Sequence, residues 1–344
     1  MGNDKSFKVN NFDLLRLMAA TEVIVDHYFQ HLNIALSAFQ VQVLYLFPGV
    51  PVFFIISGYL ISASYERNAN LRVYIKNRAL RIFPGLWGCI LVTIIAISIT
   101  GVSFFNKQTI AWLPCQLVGI IYTPGFLSNY GFGSYNGSLW TIPIELQFYI
   151  LLPLCYLLLP QKRRNAWLIC FFILFLILNA WFGLSNLPPA LAKLLRYSFI
   201  PNFYLFLLGV LLQRFGIYKS RFIYNKGLYW IVAYLTFCLL LYPYLHPVAF
   251  QLVKNILLSG CIVSMAYSAP SFSSKLLKGN DISYGIYIYH GLILTIIVQL
   301  KLSYSINVYS LIVFSYLLGY LSWIIIERPF IKRKEKTIKL MQQA

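Results

Sequence analysis

Residues 165–183 read NAWLICFFILFLILNAWFG, nineteen consecutive positions without a charged side chain. Crossing about 30 Å of hydrocarbon takes roughly 20 mostly apolar helical residues, so this stretch predicts a membrane-spanning α-helix. Nine further runs have a similar character, and the ten together predict an all-α, multi-pass membrane protein with about ten transmembrane helices. The runs lie near residues 12–32, 43–63, 83–101, 138–159, 165–183, 197–213, 228–245, 250–267, 284–300 and 306–326.

The composition agrees with a chain that faces lipid. Of 344 residues, 59% are hydrophobic and 11% charged, and the mean hydropathy is +0.71. Soluble domains carry about 25% charged residues, so this chain cannot cover a surface that faces water. We therefore expect residues 1–344 to form a single integral-membrane domain. A shorter apolar stretch at 110–122 contains Pro114 and is expected to be re-entrant or interfacial.

The charged residues predict the orientation. The chain has 28 Lys and Arg against 9 Asp and Glu, a net charge of +19. If the N-terminus is cytoplasmic, 23 of the 28 basic residues fall in inner segments, counting a 64–82 loop and the C-terminal tail. This imbalance predicts that both termini are cytoplasmic. Because the basic residues follow membrane topology, nucleic-acid binding is excluded as the reason for the charge.

The first run is the richest in ionisable residues, which are costly at membrane depth and often functional. Arg16 and His27 stand eleven residues apart, so in a helix they share one face about 16 Å apart along the axis. A simpler interpretation places His27 at the outer interface and lets Arg16 serve topology. His31 lies one turn from His27, but no third ligand is indicated, so no metal site is predicted. Glu22 and Asp26 occupy another face, and no role is assigned to them.

Further polar residues lie at membrane depth in other runs. Glu145 is in a helix that enters from the outer side, so it lies about 10 Å deep, at the level predicted for His27. There a carboxylate can orient or charge-stabilise the imidazole, or it can pair with another buried donor. His290 belongs to the inner half of its run, level with Arg16 and Ser57. The sequence thus predicts two polar layers, one outer and one inner.

Two arginines mark the cytoplasmic mouth of the third run. Arg78 and Arg81 stand three residues apart just before Pro84, so in a helix their guanidinium groups share one side. Guanidinium forks match phosphate oxygens, which makes the pair a candidate site for a phosphate-bearing ligand. Positive-inside charge and contact with lipid headgroups explain many arginines at such positions equally well.

Six short stretches, in order along the chain, form a recognisable set. They are Asn11-Phe12-Asp13-Leu14-Leu15-Arg16 with His27, Val52-Phe53-Phe54-Ile55-Ile56-Ser57-Gly58-Tyr59-Leu60-Ile61, Arg78-x-x-Arg81 with Pro84, Ser138-Leu139-Trp140 through Glu145-x-Gln147-Phe148-Tyr149, Ser283-Tyr284-Gly285 through His290, and Glu327-Arg328-Pro329. Together with the ten predicted helices, this set resembles the integral-membrane acyltransferase-3 family, the group of bacterial sugar O-acetylases.

The resemblance implies transfer of an acyl group, usually acetyl from cytoplasmic acetyl-CoA, to a carbohydrate hydroxyl at or beyond the outer face of the bacterial inner membrane. On this basis we expect three catalytic residues, His27, Arg16 and Glu145, and four residues that bind the donor, Arg78, Arg81, Ser57 and His290. Acetyl-CoA is a substrate in this scheme, and no permanently bound cofactor is expected. The other partners are membrane lipids and a cell-envelope acceptor such as O-antigen lipopolysaccharide or an exopolysaccharide. His27 acts either as a general base or as a transient acyl carrier.

Two other functional classes fit the same polar residues. A transporter or flippase of a lipid-linked saccharide would use them as a translocation path, although no repeat between the two halves of the sequence is visible. A non-catalytic scaffold in polysaccharide assembly would not need Arg16 and His27 on one helix face. The expected discriminator is thioester cleavage, which only an acyltransferase performs.

Overall fold

The computed structural model describes residues 7, 9–242 and 244–332. Its α-helices are α1 (Phe12–His31), α2 (Ala38–Leu44), α3 (Gly49–Arg67), α4 (Leu71–Ile99), α5 (Lys107–Leu117), α6 (Thr141–Leu158), α7 (Arg164–Leu184), α8 (Pro189–Arg196), α9 (Phe203–Arg214), α10 (Gly227–Leu241), α11 (Pro247–Ala266), α12 (Phe272–Leu277), α13 (Ser283–Gln299) and α14 (Val308–Ser322). A π-helical turn, Trp323–Glu327, continues α14. No strand occurs in the described part of the chain, so the predicted all-α class is confirmed.

Six helical segments of the described chain are long and apolar enough to cross a membrane. They are Ala38–Arg67, Leu71–Ile99, Gly137–Leu158, Gln161–Leu184, Pro247–Ala266 and Val308–Lys332. Three other predicted runs correspond to apolar but shorter helices, α9, α10 and α13. The remaining run, α1, has 20 residues but carries two acidic residues in its middle, Glu22 and Asp26. The crossing of all ten runs, with both termini cytoplasmic, stays a prediction.

The described residues form two compact units. The first contains the residues up to Ala19, Gln42–Tyr74 and Ile144–Gly279, and the second contains Ala20–Val41, Ile75–Pro143 and the residues from Asn280 onward. The chain passes from one unit to the other within α1, α2, α4 and α6, and once more between α12 and α13.

In the first unit, α3 and α9 pack backbone to backbone. A Cβ atom added at Gly58 would lie 1.9 Å from the carbonyl oxygen of Phe206, and one added at Gly209 would lie 2.1 Å from that of Ile55. Only glycine permits such close approach, a common device in membrane helix pairs. Gly58 belongs to the Val52–Ile61 stretch, which explains the glycine in that motif.

In the second unit, α13 and α14 meet in the same way. A Cβ atom at Gly319 would lie 2.6 Å from the backbone nitrogen of Ile286, and one at Gly285 would lie 2.8 Å from the carbonyl oxygen of Gly319. The glycine of Ser283-Tyr284-Gly285 therefore serves packing. This contact fixes the start of α13, the helix that carries His290.

One helix boundary corrects the sequence interpretation. The structure joins α3 to α4 by only three residues, and α4 begins at Leu71 rather than near 83. Arg78 and Arg81 therefore lie on a helix, not in a loop. Hydropathy marks only the apolar part of a helix, whereas the start is set by Asn70, whose side-chain oxygen accepts a hydrogen bond from the backbone N–H of Val73 at 3.2 Å.

Proline sets two further boundaries that differ from the prediction. The run predicted at 43–63 is divided into α2 and α3, and α3 begins directly after Pro48. The run predicted at 197–213 begins later, at Phe203, because a turn that contains Pro201 precedes it. Proline lacks an N–H donor and is disfavoured inside a helix, so helices begin after it.

Candidate active site

His27 and His290 form the centre of the candidate site, and both belong to the second unit. Nδ1 of His27 lies 3.0 Å from Nε2 of His290, within hydrogen-bonding distance. His290 is completely buried, whereas His27 retains partial exposure. The prediction that these residues lie in separate polar layers is therefore wrong. The depth of a residue in the membrane depends on helix tilt and on where each helix starts, and the distance to the end of an apolar run reports neither.

A third imidazole and an aromatic ring extend this cluster. The ring centroid of His31 lies 5.3 Å from that of His27, and the ring of His31 stacks on Phe132 at 3.8 Å with an interplanar angle of 14°. Phe132 stands between Gly131 and Gly133, both with positive φ, +57° and +88°. The loop can therefore turn sharply on either side of the aromatic ring.

The loop that carries Phe132 is fastened to α13 beside His290. Nδ2 of Asn136 donates to the carbonyl oxygen of Ile288 at 2.8 Å, and the hydroxyl of Thr141 donates to that of Tyr287 at 2.9 Å. A Cβ atom at Gly291 would lie 2.3 Å from Oδ1 of Asn136. The 136–141 segment thus contacts Tyr287, Ile288 and Gly291, the residues that surround His290 on α13. The Asn- and Gly-rich stretch of the sequence therefore has a structural role.

Glu145 and Ser57 contact each other in the first unit. The Ser57 hydroxyl donates to Oε1 of Glu145 at 3.4 Å, and the Tyr149 hydroxyl donates to the same oxygen. Ser57 was predicted in the inner layer and Glu145 in the outer one, which the contact contradicts. The reason is that α3 begins at Gly49, so Ser57 is only eight residues from its start. The pairing of Glu145 with His27 stays a prediction, because the two residues belong to different units.

The predicted donor arginines lie about two and three turns into α4, and Arg81 has an acidic partner. Arg81 forms an ion pair with Asp281, and its guanidinium carbon lies 5.9 Å from the ring centroid of Tyr284. Asp281 also accepts a hydrogen bond of 2.5 Å from the Ser283 hydroxyl. The Ser283-Tyr284-Gly285 stretch thus supports Arg81. Sequence reasoning missed Asp281, although an acidic residue two positions before this stretch, in a chain with few acidic residues, was a usable signal.

Glu327, in the last matched stretch, is buried in the second unit. Its Oε1 atom accepts a hydrogen bond of 3.0 Å from the Ser322 hydroxyl, across the π-helical turn. A Cβ atom at Gly85, on α4, would lie 3.4 Å from Cγ of Glu327. Glu327 therefore lies against the segment of α4 that follows Arg81, at a π-turn of the kind that often marks a functional region.

The residue before α1 explains the beginning of the Asn11–Arg16 stretch. Nδ2 of Asn11 donates to the carbonyl oxygens of Ser268 and Ala269 at 2.8 and 3.2 Å, and its Oδ1 accepts from the backbone N–H of Ser273 at 2.8 Å. Asn11 thus anchors the start of α1 to the loop after α11. Arg16 lies one turn further along α1, which fixes its height relative to that loop.

Comparison with known proteins identifies the group to which these features belong. The chain is 30% identical to Nodulation protein 10 of Rhizobium leguminosarum bv. viciae, over 96% of this chain and 95% of that protein. It is 26% identical to an O-acetyl transferase of Shigella phage Sf6, over 97% and 99%. It is also 28% identical to the peptidoglycan O-acetyltransferase OatA of Listeria monocytogenes, over 46% of this chain and 25% of that protein. No solved structure matches the chain.

A family model described as an acyltransferase domain matches residues 9–328, nearly the whole length. The match spans both structural units, and it contains five of the six sequence stretches that carried the resemblance together with Glu327 and Arg328 of the sixth. Together with the apolar helices, it identifies a multi-pass membrane enzyme. The chain belongs to the acyltransferase-3 family.

Proposed function

We propose that the protein transfers an acetyl group from cytoplasmic acetyl-CoA to a hydroxyl of a cell-surface or lipid-linked carbohydrate, in the bacterial inner membrane. The observation that carries the proposal is the imidazole of His27, partly exposed and in contact with a buried second imidazole, in a chain of this family. The names of two relatives state O-acetyl transfer, and one of them states a glycan acceptor. These names support acetyl as the transferred group and a saccharide as the acceptor.

His27 provides the proton chemistry that the reaction needs. The imidazole accepts the proton of the sugar hydroxyl as its oxygen attacks the thioester carbonyl. The carbon–sulfur bond then breaks, and the departing CoA sulfur takes up the proton from the imidazolium. In the alternative course, the imidazole attacks the thioester carbonyl and CoA leaves as the thiolate. The sugar hydroxyl then takes the acetyl group from the acetyl-imidazolium, its proton neutralises the thiolate, and the free imidazole is restored. Both courses use the same ring.

The donor is expected to approach through the arginines. Asp281 forms an ion pair with the guanidinium of Arg81 and orients it. Arg78 precedes it by three residues on α4, so both point from the same helix side. A CoA molecule carries phosphates that suit such forks.

Helix α1 joins the cytoplasmic and outer parts of the proposed reaction. Arg16 and His27 lie on this one helix, about 16 Å apart along its axis. The residues between them on that face, Ala20, Val23 and Ile24, are apolar and buried. An acyl thioester that extends along this apolar face brings its carbonyl toward His27. Donor and acceptor then approach from opposite sides of the membrane.

The test uses sealed inside-out membrane vesicles from a bacterium that expresses the protein. Acetyl-CoA labelled in the acetyl group is added outside, and the native lipid-linked saccharides face the lumen. We expect label on luminal saccharide and free CoA outside the vesicles, with neither product in vesicles that lack the protein. Mass analysis of surface glycans from the two strains identifies the modified sugar.

Two outcomes contradict the proposal in different ways. Movement of intact saccharide across the membrane without thioester cleavage refutes acetyl transfer and favours a flippase. Transfer only to an acceptor on the donor side keeps the chemistry but refutes the path along α1.

A further inference from the structure

The imidazole of His290 occupies a position that is poorly suited to a donor ligand. It is completely buried, and its Nε2 atom is engaged by Nδ1 of His27 at 3.0 Å. A side chain that binds CoA needs a surface that the ligand can reach. Among the described residues, His27 is the one side chain with which the His290 ring makes a polar contact. The His290 ring is therefore placed to act on His27 rather than on a donor.

We propose that His290 is a positioning residue that holds His27 in the tautomer with its proton on Nδ1, so that Nε2 of His27 is the reacting nitrogen. The inference rests on the proposed function of His27 as base or acyl carrier. It replaces the sequence-based expectation that His290 binds the donor.

The chemistry of paired imidazoles supports this direction of the hydrogen bond. A neutral imidazole has one N–H group and one acceptor nitrogen, so only one of the two facing nitrogens carries the proton. If Nδ1 of His27 donates, Nε2 of His27 has a lone pair and can accept a proton or attack a carbonyl. If Nε2 of His290 donates instead, Nε2 of His27 carries the proton and cannot act as a base. Only the first arrangement is productive.

The other nitrogen of His290 favours the productive arrangement. Nδ1 of His290 is buried and has no hydrogen-bond partner among the described residues, and a helical side chain leans toward the preceding turn, which here carries the backbone carbonyl groups of Ile286 and Tyr287. A carbonyl oxygen only accepts hydrogen bonds, so it favours a proton on Nδ1 of His290. Nε2 of His290 is then the acceptor for His27. In this arrangement Nδ1–H of His27 donates to Nε2 of His290, and Nδ1–H of His290 faces the backbone of α13.

The structure holds His290 in place on both sides along α13. Asn136 donates to the carbonyl oxygen of Ile288, and Thr141 donates to the hydroxyl of Tyr287. Gly291 lies so close to Asn136 and Ser138 that an added Cβ atom would displace its neighbours. A fixed helix turn keeps the acceptor lone pair of His290 aimed at His27, as a positioning role requires.

Two substitutions separate positioning from packing and from donor binding. His290→Gln keeps an amide oxygen that can accept a hydrogen bond from His27, whereas His290→Leu fills a similar volume without an acceptor. In the vesicle assay we expect His290→Leu to lower kcat about 100-fold and His290→Gln about 10-fold or less, with KM for acetyl-CoA unchanged. Ser315→Ala serves as control, because the buried Ser315 hydroxyl bonds only within its own helix.

The outcomes that overturn the inference are distinct. If kcat falls equally in the Gln and Leu variants, His290 contributes packing alone. A raised KM for acetyl-CoA with normal kcat indicates donor binding. Loss of function in His27→Ala with full activity in both His290 variants refutes the positioning role while the proposed function stands. Full activity of His27→Ala refutes the proposed function itself.

A measurement on the unmodified protein covers the case in which the variants fail to fold. The chain has only 4 histidines, so labelling them with ¹⁵N gives few signals, and His27→Gln identifies those of His27. We expect the protonated nitrogen of His27 to be Nδ1 and the unprotonated one to be Nε2. A proton on Nε2 of neutral His27 overturns the inference.

Discussion

The substitution Gly291→Ala tests whether the placement of α13 controls the reaction. The added Cβ atom would lie 2.3 Å from Oδ1 of Asn136 and 2.8 Å from the backbone nitrogen and hydroxyl of Ser138. Carbon and oxygen atoms that are not bonded approach to about 3.3 Å, so roughly 1 Å must be gained at Asn136. Asn136 is itself tied to Ile288 of the same helix at 2.8 Å, so the clash displaces α13 and the 136–141 segment relative to each other.

The expected cost follows from that displacement. A shift of about 1 Å in α13 stretches the contact between His27 and His290 beyond hydrogen-bonding distance, because it measures 3.0 Å in the native chain. Displacements of this size in a catalytic arrangement cost about 100-fold in rate, or about 2.7 kcal/mol. Overpacking itself costs about 1–3 kcal/mol of stability. We therefore expect kcat to fall about 100-fold and the unfolding temperature to fall moderately.

The assay combines initial rates of acetyl transfer in vesicles with thermal unfolding in detergent. Gly183→Ala is the matched control, because its added Cβ atom would meet only side-chain atoms of Val248, at 3.2 Å and beyond, and no backbone atom. The control is expected to keep both the rate and the unfolding temperature. Wild-type kcat in Gly291→Ala would refute the reasoning, since the geometry around His290 would then not matter.

Three further predictions address other parts of the account. Arg78→Lys and Arg81→Lys keep the charge but lose the planar fork, so each is expected to weaken acetyl-CoA binding in detergent about 10-fold; unchanged affinity in both rejects the donor site. Glu145→Gln is expected to lower kcat about 10-fold, about 1.4 kcal/mol, without affecting KM if the carboxylate stabilises a charged His27; an unaltered kcat removes Glu145 from the mechanism. Gly58→Ala places a Cβ atom 1.9 Å from the Phe206 carbonyl oxygen and is expected to cost about 3 kcal/mol of stability, seen as a lower unfolding temperature in detergent. An unfolding temperature equal to that of Gly183→Ala contradicts the close packing of α3 on α9.

The helices were largely predictable from sequence, because a helix that contacts lipid needs apolar residues along its whole length. The stretch 165–183 predicts α7, which the structure places at Arg164–Leu184. Boundaries were less predictable where a helix extends beyond its apolar part. The start of α4 depends on the cap at Asn70, and hydropathy does not report such local hydrogen bonds.

The site was only partly predictable, because contacts between helices depend on packing rather than on spacing. The alignment of Arg16 and His27 follows from helical geometry alone. The contact between His27 and His290 joins residues 263 positions apart, and no periodicity in the sequence reports it. The contact also depends on Gly291 and Asn136, whose roles become visible only when the 136–141 segment is seen against α13.

The central claim is that His27 carries out the chemistry, and His27→Ala tests it most directly. The matched control is His246→Asn, because His246 caps the start of α11 and asparagine keeps a capping side chain. Both variants are compared with wild type for membrane insertion and for transfer of labelled acetyl to luminal saccharide. The account predicts normal insertion of both and a loss of at least about 100-fold in transfer for His27→Ala alone. Retention of more than about a tenth of the wild-type rate by His27→Ala would contradict it, because the loss of a general base or acyl carrier costs far more than that.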